Sequence, residues 1–374
     1  MAEPADPAAR VLRATLGDRR GRQWLQAEWS GVPRELRGTG EARWDQQWNR
    51  WRERALTVDV ERELARVERA GGGFITPADP RWPVQLSCLG EEEPLGLWFL
   101  GRLSDASQSE GHVSIVGALA STSAGGRCAR NMAYHLARSG YAIVSGGAIG
   151  IDIEAHRGAL AGGGRTICVL AGGVLNPYPA CHTEDFRAIV DRGGLIVSEV
   201  APTARPAKWR FLTRNRLIVG WSAATIVVEA GARSGALATA RWAMGCGREL
   251  GAVPGAVDAP MSVGCLELAR NGATIIRDGR DAAELAGPIG AEDVAPLFGM
   301  PVERDHGIAA LPPVARRVWE ALPARACADV SAICVSAGLG REEVSRALMD
   351  LAVAGLVTSS TRGWARREDG DAVG

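Results

Sequence analysis

Short apolar runs separated by helix-length segments dominate the sequence between residues 110 and 285. Most of these runs end at Gly, Ser or Pro, and they cover residues 112–116, 141–144, 166–170, 194–197, 224–228, 249–253 and 274–277. Such continuous apolar strands are typical of a parallel sheet that helices cover on both faces. The pattern therefore predicts an α/β fold with a Rossmann-like, doubly wound, mostly parallel sheet. Its ligands should bind at the carboxyl ends of the strands.

Regions of different composition flank this core. Residues 1–85 are helical in pattern, and Trp44, Trp48 and Trp51 repeat on one helix face, which favours a packed core over a base-stacking surface. Residues 288–310 are rich in Gly, Pro and Ala and predict a linker. Three short helical patterns in 311–366 predict a winged-helix domain. We therefore expect a small helical N-terminal domain (1–85), a Rossmann-like core (86–287), the linker and the winged helix.

Composition and spacing exclude several classes of function. The 43 basic residues balance 43 acidic ones, so any nucleic-acid site must be a local patch. The eight cysteines form no CxxC pair, which predicts reduced thiols. With no signal peptide and no apolar run of about 18 residues, a cytoplasmic protein without membrane contact is expected. The sequence contains no recognisable catalytic triad and no histidine spacing typical of a metal site, so we expect no enzyme activity, metal or cofactor. Asp152 and His156 lie one helical turn apart and are interpreted as a structural pair.

Glycine-rich loops follow the first two predicted strands of the core. Gly117 and Ser121 lie after the first strand, and Gly146, Gly147 and Gly150 lie after the second. Glycine lets a backbone approach a ligand closely, and the N–H groups at a helix N-terminus attract phosphate. We therefore expect an anion cradle here, although tight turns explain some of the glycines. The lack of an acidic ribose anchor after the third strand argues against a dinucleotide site.

Residues 205–216 form a segment with five cations, two aromatic residues and no acid. Cations pair with phosphates and aromatic faces stack on unpaired bases, so this mixture favours a site for single-stranded nucleic acid over a solvated basic loop. The side chains expected to contribute are Lys208, Phe211, Arg214, Asn215 and Arg216.

A third loop follows the strand predicted at 224–228. It carries Glu229 and, at the start of the next helix, Ser234 and Gly235, whose N–H groups are expected to hold another phosphate. Glu229 is either catalytic or a structural partner of Arg214 or Arg216, and the partner role is favoured.

Together these loops resemble the DprA/Smf family. Its motifs occur in order over about 170 residues, at 145–152, 155–160, 166–170, 176–179, 198–199, 214–216, 229–230, 234–240 and 253–255. The resemblance implies a protein that binds and protects single-stranded DNA without a cofactor, forms a homodimer through its Rossmann-like core, and loads the RecA recombinase during natural transformation. It places Gly117, Lys208, Phe211, Arg214, Asn215, Ser234 and Gly235 in the binding pocket.

Departures from the family pattern leave alternatives open. Ala118-Leu119 and Ile149 replace expected pocket arginines, and Leu266 replaces an asparagine. DNA binding should therefore be weaker and less sensitive to salt, unless Arg127 or Arg165 compensates.

Rival functions come from three other classes. One is a nucleotide-binding or nucleotide-hydrolysing enzyme related to the lysine-decarboxylase-like phosphoribohydrolases, although their Pro-Gly-Gly-x-Gly-Thr run is absent. A nicotinamide-dependent oxidoreductase would lack its ribose anchor. The third is a winged helix that binds duplex DNA, whose recognition helix would lie at 341–354. Acidic residues outnumber arginines there, whereas duplex binding favours a basic helix, so a role in protein interaction suits that domain better.

Overall fold

A single large sheet runs through the unit Met1–Glu292 of the computed structural model. The structure describes residues 3–39, 43–103, 111–287, 311–323, 327–360 and 363–366. Within these residues nine strands form the sheet: β1 (Gly72–Ile75), β2 (Leu97–Gly101), β3 (His112–Val116), β4 (Ala142–Ser145), β5 (Thr166–Val169), β6 (Leu195–Ser198), β7 (Ala224–Val227), β8 (Glu249–Ala252) and β9 (Thr274–Ile275).

The order of the strands defines where a ligand can bind. They are arranged β1-β2-β6-β5-β4-β3-β7-β8-β9, and β3 to β9 are all parallel. β1 and β2 extend the β6 side as antiparallel strands. The winding reverses between β3 and β7, and such a switch point opens a crevice at the carboxyl ends of the strands. The predicted mostly parallel, doubly wound α/β fold is confirmed.

Helices cover both faces because each parallel strand is followed by one of them. In this unit they are α1 (Pro7–Gln26), α2 (Trp44–Thr57), α3 (Val60–Arg69), α4 (Ser123–Arg138), α5 (Ile151–Ala161), α6 (Thr183–Asp191), α7 (Lys208–Trp221), α8 (Gly235–Gly245), α9 (Val263–Arg270) and α10 (Gly279–Ala286).

Two apolar layers hold the helices to the sheet. Successive side chains of a strand point to opposite faces. Accordingly Ile115 of β3 is buried in the layer of α4, α5 and α10, whereas the next residue, Val116, is buried in the layer of α7, α8 and α9. This double burial explains why the core strands read as continuous apolar runs rather than alternating ones.

The N-terminal helices have a core of their own. Trp44, Trp48 and Trp51 are buried in it, so the interpretation of this stripe as core is confirmed. The expectation that all of residues 1–85 are helical is wrong at β1. Its first two residues are glycines, which have low strand propensity, so no strand pattern is visible in the sequence there. Gly72 allows the close approach of β2, because an added Cβ would lie 1.9 Å from the Phe99 carbonyl oxygen. The proposed boundary at residue 85 falls inside a 3₁₀ segment, Val84–Glu92, and stays a prediction.

Within the unit Asp293–Gly374, the described residues 311–323, 327–360 and 363–366 form three helices followed by a hairpin. These are α11 (Pro313–Ala321), α12 (Val330–Ala337), α13 (Arg341–Val353), and the antiparallel pair β10 (Val357–Ser360) and β11 (Gly363–Arg366). Val318, Ile333 and Leu348 lie in their shared core. The winged-helix assignment stays a prediction, and the predicted linker at 288–310 lies outside the described residues. No helix within the described ranges is long and apolar enough to cross a membrane.

Candidate nucleic-acid interface

The carboxyl ends of the parallel strands bring the predicted loops together at one side of the sheet, here called the carboxyl edge. Gly117 follows β3, Gly146 follows β4 and Glu229 lies just beyond β7. Since α4, α5, α7 and α8 each follow a parallel strand, their amino-terminal ends also lie at this edge. The edge therefore combines loop backbone with helix N-termini, which favour negative ligands.

The first turns of α7 present a cation and an aromatic ring. Lys208 is exposed and Phe211 is half-buried; with Asn215 they are spaced three and four residues apart and share one helix face. Tyr178, half-exposed in the loop after β5, lies edge-on to Phe211 with 6.0 Å between the ring centroids. Two aromatic rings beside a lysine make a surface on which unpaired bases can stack.

Tyr178 belongs to this surface, although it is not among the site residues that the sequence predicted. The sequence marks residues 176–179 only as a family motif, and nothing in the spacing links that loop to residue 211. The parallel order β5, β6 and α7 brings the two segments together. The sequence feature that could have drawn attention to Tyr178 is its position between Pro177 and Pro179.

Arg210 is neutralised by an acid from the far end of the sequence. Its guanidinium donates to both carboxylate oxygens of Glu3, with the shortest distance 2.8 Å from Nη2 to Oε2. Nη1 also donates to the Arg205 carbonyl oxygen at 2.8 Å. Arg210 is thus a partly buried ion-pair residue in this conformation.

Arg214 lies inside the protein rather than on the binding surface. It donates to the Val169 carbonyl oxygen and packs beneath Gly146, where a Cβ would lie 2.0 Å from Nη1. Burial lowers the pKa of Arg214, an effect that nearby Asp152 opposes. A direct phosphate contact by Arg214, as the sequence predicted, would require it to leave these partners.

Arg216 is completely buried as well. Its Nη2 donates to Glu199 at 2.7 Å and its Nε to the Glu92 carbonyl oxygen at 2.8 Å. The prediction of a DNA-contacting Arg216 is therefore corrected to a structural ion pair. The partner is Glu199, beyond β6, and not Glu229.

Glu229 binds the start of α4. Its carboxylate accepts from the Thr122 backbone N–H at 2.9 Å and from the Thr122 hydroxyl at 2.5 Å. Gly125 is needed there, because a Cβ would lie 2.2 Å from the carboxylate carbon. The preferred pairing of Glu229 with Arg214 or Arg216 is wrong, since the helix N-terminus attracts the carboxylate instead. The first predicted phosphate position is filled by the protein itself.

The second glycine loop is also closed by internal contacts. The Gly146 N–H donates to the buried Asp152 carboxylate at 3.2 Å. Gly147 and Gly150 have φ of +65° and +93°, and a Cβ on Gly150 would lie 2.3 Å from the Ala118 carbonyl oxygen. A Cβ on Gly117 would likewise lie 2.6 Å from the Ile151 side chain. These glycines serve the packing of the loops against one another.

His156 does not pair with Asp152, contrary to expectation. Its Nδ1 lies 2.7 Å from the Thr166 hydroxyl oxygen, and that hydroxyl donates to the Ile143 carbonyl oxygen at 2.8 Å. Nδ1 must therefore be the donor, which leaves Nε2 buried without a hydrogen-bond partner among the residues that the structure describes. Burial, reinforced by the charge of Arg214, lowers the pKa of His156 to about 3. The ring is a neutral structural group.

The remaining predicted residues fall at different places. Ser234 caps α8 by accepting from the Ala236 N–H at 3.2 Å, and Gly235 is exposed with open space around it. Ser121 is half-exposed on the carboxyl edge. Arg165 precedes β5 and so lies at the opposite edge, where it donates to the Gly193 and Arg102 carbonyl oxygens. It cannot replace a missing pocket arginine there; Arg127, exposed near the start of α4, remains the candidate.

Comparisons with known proteins agree with this architecture. The family model described as DNA recombination-mediator protein A matches residues 73–287. A curated DprA of Mycobacterium tuberculosis is 40% identical over 314 residues, covering 81% of this chain and 79% of the relative. The Smf protein of Synechocystis is 41% identical over 206 residues, covering 54% of this chain and 51% of that protein.

A solved structure shows the same relationship. The X-ray structure of DprA from Streptococcus pneumoniae aligns with a TM-score of 0.56 at 31% identity, covering 63% of this chain and 81% of that one. The chain therefore belongs to the DprA/Smf family of DNA-processing proteins.

Proposed function

We propose that this protein binds single-stranded DNA at the carboxyl edge of its sheet, with Lys208, Phe211, Asn215 and Tyr178 at the centre of the site. The observation that carries the proposal is the Tyr178–Phe211 ring pair beside an exposed lysine. Bases of a single strand can stack on such rings, at about 1–3 kcal/mol per base, whereas bases in a duplex are already stacked. We also propose Ser121, Ser234 and Gly235, which lie at the same edge before α4 and at the start of α8, as backbone and hydroxyl donors to the strand.

Stacking should contribute more to this site than charge does. Of the cations in 205–216, Arg205 and Lys208 are exposed, while Arg210 is paired and Arg214 and Arg216 are buried. Each phosphate contact to a single strand adds about −0.7 to the slope of log affinity against log salt. A slope of only about −2 is therefore expected from a few contacts.

The description of the family supports a proposal about the partner. Because the matched family is described as a recombination mediator, we propose that the bound strand is protected and passed to a RecA-type recombinase. We further propose a homodimer built through the Rossmann-like core, and activity without a cofactor or catalytic step. A first measure of partner function is the rate of RecA assembly on one oligonucleotide with and without the protein.

A nucleotide-binding or nucleotide-hydrolysing role is disfavoured by one contact. In that role the N-terminus of α4, at the switch point, would receive a phosphate. The Glu229 carboxylate lies there, bonded to Thr122, and would repel a second anion.

The test is fluorescence anisotropy with a labelled oligo(dT) and the matching duplex over a salt series. Preference for the single strand, and a loss of affinity in Phe211→Ala and Lys208→Ala, would support the site. Tyr134→Ala and Arg138→Ala are matched controls, since both side chains are exposed toward the other end of α4. If the controls lose as much affinity as the site variants, DNA binds elsewhere.

A further inference from the structure

Residues Glu3–Asp6, here called the N-terminal strap, lie against the carboxyl edge. Glu3 bridges two arginines, with 2.8 Å to Nη2 of Arg210 on α7 and 2.8 Å to Nη1 of Arg54 on α2. Asp6 caps α1 by accepting from the Ala8 N–H, and it pairs with Arg50. The strap is therefore tied to the proposed DNA surface at one end and to the N-terminal helices at the other.

The middle of the strap contacts the same surface. Pro4 lines a small crevice together with Leu170, Arg210 and Arg214. The Ala5 backbone N–H donates to the Glu199 carboxylate, the partner of Arg216. The strap thus borders the cationic side of α7 that the sequence assigned to DNA.

The chemistry of the main strap contact is that of a phosphate site. An arginine fork binds a carboxylate and a phosphate in the same way, through two parallel N–H donors. Glu3 accepts from both Nε and Nη2 of Arg210, so it occupies the position that a phosphate of the DNA backbone would take.

The strap is also held against a local backbone preference. Ala5 has φ of +56°, the one positive φ at a non-glycine residue within the described ranges. An L-residue with a Cβ is disfavoured in this left-handed region. Contacts at Glu3 and Asp6 therefore maintain the strap, and loss of the Glu3 contact would allow it to leave.

We propose that the N-terminal strap is an intramolecular competitor of DNA. Single-stranded DNA displaces Glu3 from Arg210, so that Arg210 becomes an additional phosphate-binding residue and the crevice beside Arg214 opens. This inference rests on the proposed DNA-binding function, and it assigns to that site a closed and an open state.

The test compares Glu3→Ala with Glu28→Ala in the full-length chain, by oligo(dT) anisotropy over a salt series. Glu28 is an exposed acid beyond α1, so its loss changes net charge equally. Glu3→Ala should bind roughly threefold more tightly at low salt, with a salt slope about 0.7 steeper from one more phosphate contact. In the double variant Glu3→Ala with Arg210→Ala, both the tighter binding and the steeper salt slope should disappear. Ala5→Gly, which relieves the strained φ and favours the closed strap, should weaken binding.

The outcomes separate the two proposals. If wild type binds DNA and Glu3→Ala equals Glu28→Ala, the strap proposal is overturned while the DNA site stands. If the gain persists without Arg210, the strap does not act through that residue and the proposal also fails. If neither protein binds the oligonucleotide at any salt concentration, both proposals are overturned.

Discussion

Glu229, beyond β7, and Thr122, before α4, are joined by two hydrogen bonds across the switch point of the sheet. The Thr122 N–H and hydroxyl both donate to the carboxylate, at 2.9 and 2.5 Å. Thr122 also caps the helix by accepting from the Gly125 N–H at 3.0 Å. One carboxylate thereby fixes the start of α4 to the loop after β7, although Thr122 and Glu229 are 107 positions apart in the sequence.

Removal of this carboxylate should destabilise the fold. We expect Glu229→Ala to lower the free energy of unfolding by about 2 kcal/mol, because it removes two charge-assisted hydrogen bonds at a helix start. Urea denaturation measures the change, and Glu284→Ala, which removes an exposed acid on α10, is the control. An unchanged midpoint in Glu229→Ala would contradict the structural role.

The ring pair should act as a unit in DNA binding. Tyr178→Ala and Phe211→Ala should each weaken oligo(dT) binding by about 1–3 kcal/mol, because each removes a stacking surface. In a double-mutant cycle, the loss of affinity in the double variant should be smaller than the sum of the two single losses if one base contacts both rings. Strict additivity, or loss in only one variant, would show that the rings do not share a base.

Arg216 should be essential for folding rather than for phosphate contact. Arg216→Ala leaves the largely buried Glu199 carboxylate without its ion-pair partner, which should cost about 3 kcal/mol in the free energy of unfolding. The double variant Arg216→Met with Glu199→Leu removes both charges and should recover most of that stability. Thermal or urea unfolding checks both, and Arg205→Ala, at an exposed cation of the same segment, should change little. A fully stable Arg216→Ala that has lost DNA affinity would restore the DNA-contact prediction.

His156 should make stability depend on pH. Its pKa is lowered to about 3 in the folded protein from its ordinary value of 6.5, so the unfolded chain binds more protons between these values. Stability contributed by the neutral ring is complete above about pH 6.5 and is lost as the pH falls toward 3, at up to about 1.4 kcal/mol per pH unit. His156→Leu should flatten this part of the stability–pH curve, whereas His135→Leu, at an exposed position on α4, should not. Equal slopes in all three proteins would exclude His156 as the cause.

The parallel strands were predictable because burial on both faces selects continuous apolar residues. β5 begins at the predicted Thr166 and β3 spans the predicted His112–Val116. β1 was not predictable, since its glycines have low strand propensity and its pairing with β2 depends on tertiary context.

That the loops meet at the carboxyl edge was predictable from topology, but the state of the cations in this candidate site was not. Residues 205–216 contain no acid, and the segment therefore looked uniformly available to phosphate. Its partners Glu3 and Glu199 come from other parts of the chain, and only the fold brings them to Arg210 and Arg216. Glu229 likewise contacts the N-terminus of α4 and not an arginine. The sequence does not reveal which positive group lies nearest to this carboxylate in space.

The carboxylate at the switch point also affects how this domain responds to its surroundings. A ligand raises the stability of a folded protein by mass action, in proportion to the logarithm of its concentration over the dissociation constant. A Rossmann-like domain with an open switch point is therefore coupled to the supply of its nucleotide. Here Glu229 is a covalently attached occupant of the N-terminus of α4, and its effective concentration never varies. This part of the fold therefore carries its own counter-charge and needs no bound phosphate to stabilise it.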